Sequence, residues 1–297
     1  MALPSKPTAS FPYEIEDTIG QGSMGRVYRA RETSLDRTVA IKTLRPDFVE
    51  ELDEKAAHAA SRRFLQEARA IARLSHPGIV SIYRLGTEES VAYIAMEWLE
   101  GRTLAELLAD EAPTPVERAC HLVIELLDIV QVAHKNDIVH RDLKPENVIV
   151  SPAGELKLND FGVAHVADSK LVKTAVGSIV GTPLYAAPEQ LDDGNIDPRS
   201  DLYAIGVLFY EMLTGRRPFD SENLVSLITD ILKKEAPPAS SVNPAVPKDL
   251  AALIDRALAK DKRERFSSAN QMRTAIESHL NNQNIALTAT RPTSNKI

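Results

Sequence analysis

The sequence has very little cysteine. The lone Cys120 cannot close an internal disulfide, which points to a reducing cytosol. It lies in an apolar helical pattern and reads as a packing residue. Positive charge is not in excess either. A net charge of -7 argues against nonspecific nucleic-acid binding. No run of about twenty apolar residues exists to span a membrane. The N-terminus lacks the apolar core of a signal peptide, and no segment repeats at a fixed period. What remains is ordinary for a soluble enzyme, and 297 residues can bury one large core or two smaller ones.

The stretch with the densest chemistry is His140-Arg-Asp-Leu-Lys-Pro-Glu-Asn147, between apolar Ile138-Val139 and Val148-Ile149-Val150. Pro145 stops a helix from continuing through it. A polar loop clamped by rigid apolar pieces is where chemistry tends to be placed. Asp142 could take a proton, Lys144 could hold a transferring phosphate, and Asn147 could hold a cation through its amide oxygen. The competing reading is a charged surface turn.

Residues 1–10 are polar and read as a loose arm. Strand character follows over Tyr13–Ile19, Arg26–Ala30 and Thr38–Leu44. Between the first two lies Gly20-Gln-Gly-Ser-Met-Gly25. A strand follows these glycines where a dinucleotide fold needs them to open a helix, so that fold does not fit. A hairpin lid whose bare backbone approaches phosphates does fit, as does a plain glycine-rich turn. Alternation puts Ala40 and Lys42 on one strand face. Residues 46–60 form an acidic, alanine-rich insertion, a loop leading into a helix. Phe64, Ala68, Ile71 and Leu74 then mark an amphipathic helix. Glu67 shares its inward stripe and needs a cation, for which Lys42 is the candidate.

Strands are expected over 79–85 and 91–96, followed by the connector Glu97-Trp-Leu-Glu-Gly101. Beyond it the chain turns mainly helical. Thr114-Pro-Val-Glu117 reads as a capped helix start. Asp197-Pro198 starts another helix, apolar through Ala204–Phe209, that Gly215 stops. Three further helical patterns fill 222–280. Residues 281–297 read as a disordered tail or linker. His58, His121, His134 and His279 show no partner pattern.

In this order the segments resemble the eukaryotic-type protein kinases, and within them the bacterial serine/threonine group. The motifs are Gly20–Val27, Val39-Ala-Ile-Lys42, Glu67, His140–Asn147, Asp160-Phe-Gly162 and Ala187-Pro-Glu189, with Asp201 and Arg265 also matching. The resemblance implies an α+β, bilobal fold over residues 11–280. A small antiparallel sheet lobe with one helix (11–96) would join a larger, mainly helical lobe (102–280) through a hinge at 97–101.

The resemblance also implies ATP, magnesium (with manganese as the substitute ion) and Ser/Thr-bearing protein substrates. Ile19, Gly20, Gly22 and Gly25 would cover the nucleotide. Lys42 would orient its phosphates, held by Glu67. Adenine would bond the Glu97 carbonyl and Leu99 amide, sandwiched by Val27, Ala40 and Ile149, with Met96 behind. Asp142 would act on the substrate hydroxyl and Lys144 on the moving phosphoryl group. Asn147 and Asp160 would hold metal. Ile71, Ile82, His140 and Phe161 would stack as an apolar column, and Glu189 would pair with Arg265 in the interior.

Arg141 precedes Asp142, and its burial would call for an anion. Autophosphorylation at Thr174 or Ser178 would supply one, received by Arg63, Arg141 and His165. His165 stands where many relatives carry lysine or arginine. Relatives are often membrane-anchored downstream, so a cytoplasmic protein or the cytoplasmic fragment of an anchored kinase is expected. The alternative function is a nucleotide-binding pseudokinase scaffold, which loss of Lys42, Asp142, Asn147 or Asp160 would mark; all four are present. The oligomeric state is left open.

Overall fold

Five antiparallel strands form the first sheet: β1 (Tyr13–Gln21), β2 (Gly25–Glu32), β3 (Arg37–Leu44), β4 (Ile82–Glu88) and β5 (Val91–Glu97), in the order β1-β2-β3-β5-β4. The structure, a computed structural model, describes residues 3, 7, 8, 10–21, 25–44, 53–161, 183–192, 194–221 and 223–289. The expectations for Gly22, His165, Thr174 and Ser178 lie outside them.

Alternation along β2, β3 and β5 gathers Tyr28, Ala30, Val39, Ile41, Tyr93 and Ala95 into one apolar cluster with Phe11 and Tyr13. Phe11 meets Tyr93 edge-on at 5.0 Å and Tyr13 at 5.2 Å, the geometry aromatic quadrupoles favour. Leu3 packs against this cluster. Thr8 Oγ1 donates to Glu88 Oε1 at 2.8 Å and accepts from the Phe11 amide at 3.0 Å. The loose arm expected for 1–10 is thus corrected at Leu3 and Thr8, which fasten it to the sheet.

Helix α1 (Glu54–Ile71) is capped by Asp53, whose side chain accepts from the Ala56 amide. It buries Ala60, Phe64, Ala68 and Ile71 and packs against β4 and β5. Phe64, Ala68 and Ile71 of the expected stripe are buried, whereas Leu74, its fourth member, lies beyond the helix end and is half-buried. Residues 54–60, read as part of a loop insertion, are its first two turns.

Beyond β5 come β6 (Arg102–Thr103), α2 (Leu104–Glu111), α3 (Val116–His134), a short 3-10 turn (Pro145–Asn147) and the hairpin β7 (Val148–Val150) and β8 (Leu156–Leu158). Then follow α4 (Pro188–Leu191), α5 (Pro198–Thr214), α6 (Leu224–Lys233), α7 (Ala239–Val242), α8 (Lys248–Ala257) and α9 (Ala269–Ala289).

By compactness the chain divides into two units. The first is Met1–Arg102 with Asn136–Asp142 and Asn147–Pro183; the second is Thr103–Lys135, Leu143–Glu146 and Leu184–Ile297. In the second unit α3 packs against α5 and α9, and α5 against α8. Helix α5 is apolar on nearly every side and accordingly buried on nearly every side. Asp197 caps it, accepting from the Arg199 amide, and Gly215 ends it at φ 72°.

Two helix ends differ from expectation. Pro115, not Thr114, holds the cap position of α3 and makes no side-chain cap bond. Thr114 is buried, and its amide donates to the Met212 carbonyl at 2.6 Å, so tertiary packing has claimed the residue. Helix α9 runs to Ala289, where a disordered tail was expected from 281. Among the described residues, no helix is long and apolar enough to cross a membrane.

Candidate active site

The hairpin β7–β8 sets the geometry of the site. Its register pairs Val148 with Leu158, so the residues just outside it, Asn147 and Asn159, lie side by side. The Asn159 amide donates to the Asn147 carbonyl at 2.9 Å. Asn147 and Asp160 thereby come to the same end of one hairpin, although thirteen positions separate them in the chain. Asn147 Nδ2 donates to the Asp142 carbonyl at 2.7 Å and to its carboxylate Oδ2 at 3.2 Å. With both amide hydrogens so directed, the side-chain oxygen of Asn147 faces away from Asp142 as an acceptor.

His140 is fully buried and packs against Phe161, with ring centroids 4.6 Å apart. Its Nε2 lies 2.9 Å from the Asn159 carbonyl, which can only accept, so Nε2 carries the hydrogen. Nδ1 then accepts from the Asp142 amide at 3.3 Å. One ring thus ties Asp142 to the strand end that carries Asp160. Arg141 and Asp160 adopt φ of 68° and 58°, a left-handed conformation that costs a side-chain-bearing residue energy. Arg141 is exposed, which corrects the expectation of a buried guanidinium.

Lys42 is buried on β3, opposite Val27 on β2 and Ile94 on β5. Its Nζ forms an ion pair with Asp160 Oδ1 at 2.7 Å. The sequence suggested Glu67 as its partner; that expectation is corrected to Asp160. Glu67 does lie on the inward side of α1, half-buried as its spacing indicated. A Cβ added to Gly25 would stand 3.1 Å from Lys42 Cε and 3.2 Å from the Thr43 carbonyl, so a bare backbone suits the approach of β2 to this lysine.

The connector after β5 is anchored through Glu97. Its amide donates to the Ser81 carbonyl at 2.8 Å, and its carboxylate accepts from the Ser81 amide at 3.3 Å. Lys157 Nζ reaches both carboxylate oxygens, at 2.7 and 2.8 Å. The connector closes on Gly101 at φ 143°, where a Cβ would collide with the Val150 carbonyl. Ala40 pairs with the buried Met96, and Ile149 lies opposite Lys157 on the hairpin. Sequence reasoning missed Lys157. Its signal was a lysine set between two strand leucines that both bury.

Lys144 belongs to the second unit and is half-buried. That unit holds the buried pair Glu189–Arg265, bidentate at 2.7 and 2.8 Å, with Ser200 Oγ donating to Glu189 Oε1 at 2.7 Å. Burial alone would push the Glu189 carboxyl up; the Arg265 hydrogen bonds and charge outweigh it and hold the group below its ordinary value. Two histidines read as partnerless are corrected. His134 Nε2 lies 2.7 Å from Asp201 Oδ2, and His279 Nδ1 lies 2.6 Å from Asp249 Oδ2. Each pair joins residues far apart in the chain, beyond the reach of local spacing.

A sheet unit with one long helix, a clamped polar loop and a helical unit with a buried glutamate–arginine pair define a class. The model of the protein kinase domain matches residues 13–277, and the chain belongs to that family. Similar proteins are bacterial serine/threonine kinases. Serine/threonine-protein kinase PrkC of Bacillus subtilis is 40% identical over 265 residues, covering 89% of this chain and 40% of its own. PknB of Mycobacterium leprae is 36% identical over 279 residues, covering 92% and 44%. PknL of Mycobacterium bovis is 37% identical over 269 residues, covering 89% and 65%. The chain therefore spans 40 to 65% of the length of these relatives. The α+β kinase fold expected from the motifs is the fold found. Members of this family use ATP with a divalent metal.

Proposed function

We propose that this chain is a serine/threonine protein kinase that transfers the γ-phosphoryl group of ATP to hydroxyls of protein substrates. The observation that carries the reading is the tie between Asp142 and Asn147, at the same hairpin end as the Lys42–Asp160 pair. In the transfer, the substrate hydroxyl oxygen bonds to the γ-phosphorus and the bond to the β,γ-bridging oxygen breaks. ADP leaves, and the hydroxyl proton passes to Asp142. Lys144 neutralises charge on the moving group. Such catalysis is positioning plus electrostatics, with little covalent chemistry asked of the protein.

The donor set fits a hard cation. Asp160 offers carboxylate oxygen, and Asn147 is turned so that its amide oxygen remains as acceptor. Magnesium is commonly held by one or two such groups plus substrate phosphates. Bound there, it would neutralise phosphate charge. Lys42 would hold the α- and β-phosphates. Ile19, Gly20, Gly22 and Gly25 would lie over the nucleotide. Its base would lie between Val27, Ala40 and Ile149 and bond the Glu97 carbonyl and Leu99 amide. The lobes would divide at a hinge over 97–101. Thr174 or Ser178 would take an activating phosphate.

One assay tests this reading. Incubation with γ-labelled ATP and casein should label casein and, by mass spectrometry, Thr174 or Ser178. Asp142→Asn should lower turnover by about 10²–10⁴-fold, the usual worth of a positioned acid–base group, while nucleotide binding persists. Comparable turnover by the variant would remove Asp142 from the chemistry. An unlabelled Thr174 and Ser178 in active enzyme would remove the autophosphorylation step.

A further inference from the structure

Lys157 has no part in the transfer as described, yet it makes one of the tightest contacts near the connector. Its ammonium grips both oxygens of Glu97, with both side chains one-quarter exposed. A bidentate, charge-assisted contact of this kind fixes geometry as well as contributing energy. The same carboxylate accepts from the Ser81 amide, while the Ser81 carbonyl takes the Glu97 amide. Glu97 is thus held at backbone and side chain from two directions.

The other end of Lys157 is equally fixed. Its backbone pairs with Ile149 across the β7–β8 hairpin. The neighbouring Leu158 donates its amide to Gly78 and accepts from Val80, so β8 is stitched to the segment that leads into Ser81. A closed ring results: Glu97, Ser81, the 78–80 segment, β8 and Lys157. One side of the ring carries the connector, and the other carries Ile149.

We propose that Lys157 is a positioning residue for the nucleotide: its ion pair with Glu97 sets the spacing between the connector and Ile149, and so the depth of the slot that takes the base. This rests on the reading above that the base bonds the 97–101 connector and packs on Ile149. In that reading neither Lys157 nor the Glu97 carboxylate is assigned to a phosphate or to the substrate hydroxyl. Its loss should therefore weaken ATP binding and leave the chemical step alone.

The experiment is steady-state kinetics with ATP and casein. Lys157→Met should raise KM for ATP by about tenfold, the effect of losing a charge-assisted contact, with kcat within about twofold and KM for casein unchanged. Lys157→Arg should stay near wild type. The exchanged pair Glu97→Lys with Lys157→Glu should recover most of the loss, because the Glu97 backbone is kept. If Lys157→Met does not fold, Glu97→Gln reads the same contact. An unchanged KM for ATP, a fall confined to kcat, or an exchanged pair no better than the single variants would each overturn the proposal. Amide hydrogen exchange of the wild type separates the two readings. Slowing at 97–101 by a non-hydrolysable ATP analogue supports the base slot itself. Absence of slowing overturns the slot and the role of Lys157 with it, whereas slowing with an unchanged KM in Lys157→Met overturns Lys157 alone.

Discussion

Lys42 Nζ and Asp160 Oδ1 lie 2.7 Å apart, so a strand lysine and the carboxylate assigned to the metal neutralise one another. The pair joins β3 to the end of β8. If Asp160 also takes the cation, its carboxylate serves two positive partners. Asp160→Asn should then cost more than a lost ligand, because it also removes the countercharge of a buried lysine. Turnover with magnesium and ATP should fall by about 10²-fold or more, on the scale of removing one electrostatic stabiliser. EDTA should abolish wild-type activity. Kinetics across a magnesium titration check both, and wild-type activity in EDTA equal to that in magnesium would sink the metal assignment.

Much of this was legible in the sequence, and the reasons are local. Phe64, Ala68 and Ile71 recur at helical spacing, so the buried face of α1 could be read directly. Asp197-Pro198 and Gly215 announce the ends of α5 through their own backbone chemistry. Arrangements that depend on tertiary choice were not legible. Lys42 had two acidic residues to choose between, and spacing within α1 could not show that Asp160 is the nearer. Thr114 has the sequence of a cap, yet its amide is taken by Met212. His134 and His279 meet carboxylates 67 and 30 positions away. The polar segment 1–10 looked loose because nothing local reveals that Glu88 receives Thr8.

Lys260 should make stability depend on alkaline pH. Its Nζ donates to the Ile231 carbonyl at 2.7 Å near the end of α6 and sits 4.1 Å from the centre of the Phe219 ring. Burial pushes the ammonium down to about 8. In the unfolded chain a lysine keeps its proton to about pH 10.4. Between these values the unfolded state holds more protons at this residue than the native one, so the contribution of Lys260 to stability should rise with pH. Urea midpoints at pH 7.5, 8.5 and 9.5, compared between the wild type and Lys260→Met, isolate it from Cys120, whose thiol burial pushes up to about 12 and which acts with the opposite sign. The stability of the wild type relative to Lys260→Met should rise across this range, and a parallel profile in the variant would remove Lys260 as a source of pH dependence.

The docking of the N-terminal segment should be sensitive to charge at Thr8. Hydrogen bonds from Ser10 and Thr8 hold the Glu88 carboxyl below its ordinary value, so Glu88 is an anion facing this hydroxyl. Thr8→Asp would set a second carboxylate against it. The variant should melt about 2–4 °C lower, the scale of one modest contact in a chain of this size. It should also be cut faster by protease within the first ten residues. Adding Glu88→Gln to Thr8→Asp should restore most of the loss. A double variant as labile as Thr8→Asp alone would show that the Glu88 charge is not the cause.

The pair between Glu189 and Arg265 should matter to folding more than to chemistry. The Arg265 side chain has no exposed surface and that of Glu189 is 9% exposed. Arg265 also donates to the Ala259, Arg199 and Lys260 carbonyls, and its guanidinium lies 4.9 Å from the centre of the Tyr203 ring. Glu189→Ala would strand this cation among carbonyls that cannot neutralise it, at a cost of about 3–5 kcal/mol. Replacing both partners, by Glu189→Leu with Arg265→Met, should cost less than the single change, because no buried charge is then left alone. The pH dependence has a definite sign. Glu189 is held below its ordinary value, so its contribution is present above the unfolded carboxylate range, near pH 4.5. It is lost as pH falls through the lower native value. Urea unfolding between pH 3 and 7 should therefore show a steeper acid loss in the wild type than in the doubly substituted protein. Equal slopes, or a double variant less stable than Glu189→Ala, would mean that the pair's charge is not what holds this part of the unit together.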